Sequence, residues 1–201
     1  MDIKTLFLGR LDGNALKHDW IELLAGASVV MGLLSMIALI TYKKAWKYLW
    51  KEWFTSVDHK KIGIMYIIGA IVMFLKGLID AMMMRSQLAL SSGDSFGYLG
   101  ADHYQQIVSA HGATMIFFVA MGLVFGLINL VMPLQIGARD VAFPFLNSLS
   151  FWLYVAGSLY IIVSLCIGHY TGAGWSNYTP LSGLAYDAGT GSDYWCWSTQ
   201  I

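Results

Sequence analysis

Four stretches of the chain, residues 21–42, 62–84, 107–132 and 151–169, are apolar and nearly free of charge. Each is about 20 residues or longer, the length a helix needs to cross a hydrocarbon core. Lipid offers the backbone no hydrogen-bond partners, and runs this long without strict alternation read as helices, not strands. The expected fold is therefore all-α: a polytopic transmembrane bundle of about four spans, forming a single transmembrane domain over residues 1–201. The first run is too long for the apolar core of a signal peptide and is followed by lysines, so a retained helix is expected there.

Composition agrees with lipid as the solvent, at 57% hydrophobic and 12% charged residues. Twelve basic and twelve acidic residues leave no net charge, which removes any electrostatic reason to expect nucleic acid as a partner. Position matters more than the sum. Lys43, Lys44, Lys47, Lys51, Lys60 and Lys61 crowd the loop between the first two runs, which marks that loop as cytoplasmic. Alternation then places the N-terminus outside. It puts residues 85–106 outside, 133–150 inside, and the Gly/Ser/aromatic loop 171–193 outside. The rings of AWKYLWKEW, and Trp175, Tyr178, Tyr194, Trp195 and Trp197, fall near span ends, where interfacial anchoring is expected. The two cysteines, Cys166 and Cys196, support neither a disulfide framework nor a CxxC metal site.

Ionisable groups within a span are costly unless paired or facing a cavity, and three occur away from the outermost residues of the runs: Lys76, Asp80 and His111. Lys76 and Asp80 are four apart and so share a helical face, which suits a structural ion pair and a binding site equally well. His111 lies in SAHGATMIFF. A lone buried imidazole is more often hydrogen-bonded to a neighbouring helix than metal-bound. The adjacent Gly112 would also let a flat macrocycle approach an axial ligand. His103 and Gln106 begin the third run on one face, where their donors and acceptors suit either a polar interface or a quinol head group. His18, His59 and His169 lie in flanks or near span ends and suggest no role.

The segments SVDHKKIGIMYI, MMRSQLAL, HYQQIVSAHG, QIGARDVAFPFLNSLSFW and GWSNYTPLSG occur in this order. Together they resemble subunit I of the heme-copper oxidases, most closely the cytochrome bo-type ubiquinol oxidases, over nearly everything after about Trp46. The resemblance implies that His111 is an axial ligand of a low-spin heme, with Arg85, Trp175 and Tyr178 near that heme. It implies a quinol site of Asp80, His103 and Gln106, with Lys76 where the family has arginine. Lysine keeps the charge but loses the two-donor fork. Asp140 matches the mouth of a proton path lined by Asn129 and Asn147. Thr179 also departs from the family, which usually has proline there.

By the same resemblance the full protein passes electrons from ubiquinol through heme to oxygen while moving protons, in contact with other oxidase subunits and membrane lipid. A second axial histidine, a high-spin heme and copper would be held by later segments of a longer chain. The sequence thus reads as an N-terminal portion, a truncated product that is inactive alone. Two other classes stay open on the residues themselves: a non-enzymatic membrane module, and an ion or proton channel using Lys76, Asp80 and Asp140.

Overall fold

The computed structural model describes residues 20–166, 170–183, 185–187 and 189–201, so His18, His169 and the end of the fourth apolar run lie outside the described residues. In chain order the helices are α1 (Trp20–Tyr42), α2 (Trp46–Leu49), a π-helical segment π1 (Trp50–Phe54), α3 (His59–Leu90), α4 (Ala101–Ala113), a second π segment π2 (Thr114–Ala120), α5 (Met121–Gln135), α6 (Pro144–Cys166) and α7 (Gly191–Gln200). No strand occurs among the described residues. Three stretches are long and apolar enough to cross a membrane: His59–Leu90, Ala101–Gln135 and Pro144–Ser164. A fourth is counted when Gly26–Tyr42 is taken with Trp46–Phe54, to which it is bent by 100°. The all-helical membrane architecture is thus the expected one.

α3 is the central element, packing along α4, π2, α5 and α6. Its start is set by Asp58, whose carboxylate accepts from the Lys60 amide at 2.9 Å, a side-chain cap on an otherwise orphaned donor. Lipid tails give no hydrophobic drive between helices, so α3 and α5 associate by close approach of small residues. A Cβ built at Gly63 would lie 2.9 Å from the Gly126 carbonyl oxygen, and one at Gly126 would lie 3.0 Å from the Gly63 carbonyl oxygen. The two backbones touch where neither residue has a side chain.

The end of this pair next to Lys60 and Lys61 carries a buried histidine. Pro133, inside α5, has no N–H, so the carbonyl four residues back, that of Asn129, lacks its helical donor. His59 is 1% exposed and its Nδ1 donates to that carbonyl at 2.7 Å. The imidazole at the head of α3 thereby closes the gap that proline opens in α5. α5 ends in a Schellman turn: Ala138 donates to Pro133 O at 2.9 Å and Gly137 to Leu134 O at 3.2 Å, with Gly137 at φ +67. That glycine within QIGARD is the stop signal that delivers Arg139 and Asp140 to the connecting loop. Pro144 then opens α6 from its first helical position, where no N–H is needed.

Two apolar clusters fill the interior. Met73, Ala110, Ala113, Phe118, Val119, Ile161 and Tyr170 form one, and Ile62, Met65, Tyr66 and Phe151 form the other. Tyr154 packs against both, and its hydroxyl donates 2.7 Å to the Phe118 carbonyl within π2. The π turn is explicit where Met121 donates to Ile116, five residues back. Such insertions shift the helical phase and recur at functional sites. By contrast the described large side chains of α1 are mostly exposed, as suits a helix solvated by lipid.

Candidate functional site

Lys76 and Asp80 form the ion pair that their spacing allows, Nζ to Oδ2 at 2.5 Å, with side chains only 18% and 13% exposed. Sequence reasoning missed the third member. Thr114, the first residue of π2 and fully buried, accepts from Lys76 Nζ at 3.1 Å. An ordinary threonine in an apolar run gives no signal of this, since the contact depends on how α3 faces the next helix.

His111 sits directly beside this group. Its Nδ1 lies 2.9 Å from the Gly77 carbonyl oxygen, and because a carbonyl only accepts, Nδ1 carries the hydrogen. The second ring nitrogen, Nε2, is then the one with a lone pair, the arrangement of a histidine oriented for metal ligation by a backbone partner. The bond to the Gly77 carbonyl thus holds the imidazole in one orientation. Adjacent residues on α3, Lys76 and Gly77, reach Thr114 and His111, which are three apart on the facing helix.

Gly112 does not leave the open space expected of it. A Cβ there would meet Trp175 Cβ at 2.6 Å, so the loop after α6 fills the position. That loop is held down by Ser109, fully buried, whose Oγ accepts from the Gly174 amide at 2.9 Å and donates to Gln105 O at 2.9 Å. Gln105 adds a bond from Nε2 to Gly172 O at 3.2 Å. Neither residue was singled out by the sequence. Trp175 remains 47% exposed and Tyr178 73% exposed, and Arg85 is exposed past Asp80 on α3. His103 and Gln106 are half-buried in the first turns of α4. Ahead of them Gln87, at the far end of α3, clamps the α3–α4 loop by accepting from the Tyr98 and Leu99 amides, each at 2.8 Å.

At the other end of the bundle Asn147 on α6 donates to Asn129 Oδ1 on α5 at 2.6 Å, so the two amides meet. Asn129 also carries the carbonyl that His59 satisfies, which ties three helices at one point. Asp140 is half-buried in the α5–α6 loop, its Oδ1 accepting from the Val141 amide at 2.8 Å. Among the described residues no group of three or more His, Cys, Asp or Glu side chains could hold a metal ion.

Comparison with known proteins identifies the chain's relatives. The family model described as "Cytochrome C and Quinol oxidase polypeptide I" matches residues 61–201. The chain is 54% identical over 194 residues to "Cytochrome bo(3) ubiquinol oxidase subunit 1" of Buchnera aphidicola subsp. Acyrthosiphon pisum, covering 96% of this chain and 29% of that protein. It is 53% identical over 195 residues to "Probable cytochrome c oxidase subunit 1" of Bradyrhizobium diazoefficiens, and 52% identical over 196 residues to "Ubiquinol oxidase subunit 1" of Acetobacter aceti. Both of those matches again cover 96% of this chain and 29% of the relative. The chain thus spans less than a third of the length of the curated relatives it matches. The family match reaches from the head of α3 through α7 and takes in the ion pair, His111 and the two asparagines; the chain belongs to the heme-copper oxidase subunit I family.

Proposed function

We propose that this chain is the N-terminal part of the catalytic subunit of a proton-pumping quinol oxidase, passing electrons from ubiquinol through a low-spin heme toward oxygen. One observation carries the reading: the buried Lys76–Asp80 pair and the oriented imidazole of His111 share one wall between α3 and the facing helix. When bound, the heme supplies one-electron redox chemistry. His111 would hold its iron through Nε2, while the Gly77 carbonyl keeps the hydrogen on Nδ1. Arg85, Trp175 and Tyr178 would lie around the same group.

Asp80, its charge balanced by Lys76, can take a hydroxyl proton from quinol, and His103 and Gln106 would supply further donors and acceptors to the head group. Asp140 is the proton entrance on the lysine-rich, cytoplasmic side, and the bonded amides of Asn129 and Asn147 support a polar path leading from it. The remaining parts, a second axial ligand, a high-spin heme and copper, would come from the rest of a longer protein. That protein would work with other oxidase subunits in a bacterial inner membrane. In an oxidase containing this segment, His111→Ala is expected to remove the low-spin band from the reduced-minus-oxidised spectrum. An unchanged band would refute the heme reading.

A further inference from the structure

A lysine ammonium has three protons to place, and inside a bundle each one left without an acceptor is costly. Lys76 places one on Asp80 Oδ2 at 2.5 Å and one on Thr114 Oγ1 at 3.1 Å. The two acceptors stand on different helices, the carboxylate on α3 and the hydroxyl at the start of π2. A flexible four-carbon stem held at its tip from two sides has a defined direction. With only the carboxylate of its own helix, the ammonium could swing about that single contact.

The phase of π2 makes the second contact. Thr114 is the residue at which α4 passes into the π turn, three residues after His111, so the face that presents the imidazole to Gly77 also presents the hydroxyl to Lys76. Met115 fills the space beside Gly77, where a Cβ would meet its Sδ at 2.6 Å, which leaves the helices no slack at this level.

We infer that Thr114 is a positioning residue of the quinol site, pinning the Lys76 ammonium so that one N–H remains for a single oxygen of a neutral, quinone-type head group. The inference rests on the quinol-site reading above. Charge selects the ligand class: Lys76 and Asp80 cancel, so an anionic ligand gains nothing from the lysine that the adjacent carboxylate does not take back. A neutral carbonyl or hydroxyl is accepted without that opposition.

The test uses the purified oxidase containing this segment, with ubiquinone-1 for equilibrium binding and ubiquinol-1 for turnover. Thr114→Val keeps the shape and removes the hydroxyl. It is expected to raise the ubiquinone-1 Kd and the ubiquinol-1 KM about tenfold, the size of one lost hydrogen bond to a charged group. The kcat at saturating quinol and the low-spin heme spectrum should stay as they are. Thr114→Ser, which restores an acceptor, should return Kd to within about twofold of the parent. Thr114→Ala carries the same comparison should the valine variant not assemble. Unchanged Kd in the hydroxyl-free variant, with Asp80→Asn weakening binding, overturns the role of Thr114 and leaves the quinol site standing. Unchanged Kd in both overturns the inference together with the site reading. A fall in kcat at constant Kd also overturns it.

Discussion

His59 supplies to Asn129 the hydrogen bond that Pro133 cannot. The donor sits at the head of one helix and the orphaned acceptor inside another, at 2.7 Å. A buried carbonyl left without a donor costs about 1–3 kcal/mol, so His59→Leu should lower the stability of the bundle by about that much. Adding Pro133→Ala returns an N–H at the helical position and should recover part of the loss. Detergent unfolding of the two single variants and the double variant checks this. A double variant less stable than His59→Leu alone would contradict the account.

The α3–α5 contact sets a second expectation. In Gly126→Ala the new methyl would meet Ile67 Cγ1 at 2.7 Å and the Gly63 carbonyl oxygen at 3.0 Å, with no flexible end group able to give way fully. Overpacking of this kind costs about 1–3 kcal/mol. A lower unfolding midpoint in the same detergent titration is expected. Gly26→Ala serves as the control, because nothing lies within 4 Å of a Cβ there.

Lys76→Arg tests how far lysine serves the proposed quinol site. Guanidinium offers a planar fork where ammonium offers single donors, so arginine can hold Asp80 and a head-group oxygen at once. Quinol affinity is expected to rise, by up to about 1.5–3 kcal/mol if a charge-assisted contact is gained. Equilibrium titration with ubiquinone-1 reads it directly. A weaker arginine variant would mean that the Lys76–Thr114 contact is fitted to lysine.

Asp140→Asn should depress turnover and pumped protons per electron while leaving heme spectra intact. The residue stands in the α5–α6 loop, at the opposite end of the bundle from the first turns of α4. Asparagine neither attracts protons by charge nor releases one. Proton yield measured in vesicles checks the outcome, and a normal yield would remove Asp140 from the path.

Apolar run length was enough to expect the membrane helices, because lipid forces the backbone to bond to itself. Spacing likewise exposed the Lys76–Asp80 pair, since residues four apart meet within one helix. What stayed hidden depends on contacts between helices. His59 read as a flanking residue because its burial comes from α5, and Thr114 and Ser109 looked like ordinary polar members of an apolar run. Asn129 and Asn147 stood out through the family pattern, while their direct bond follows from how α5 and α6 turn back on each other. Gly112 misled for the same reason: a small residue announces a close neighbour without saying which, and here it is Trp175.

The π turn at Thr114–Ala120 divides its span into two barrels on one axle. Deleting a single residue there would restore a regular helix and leave the hydropathy profile almost untouched. It would also rotate everything before the cut by about 100° against everything after it. His111 and Thr114 would then turn away from α3 whenever Phe118 and Gly126 kept their places, so one residue of chain length serves as the timing mark between the two halves of the span.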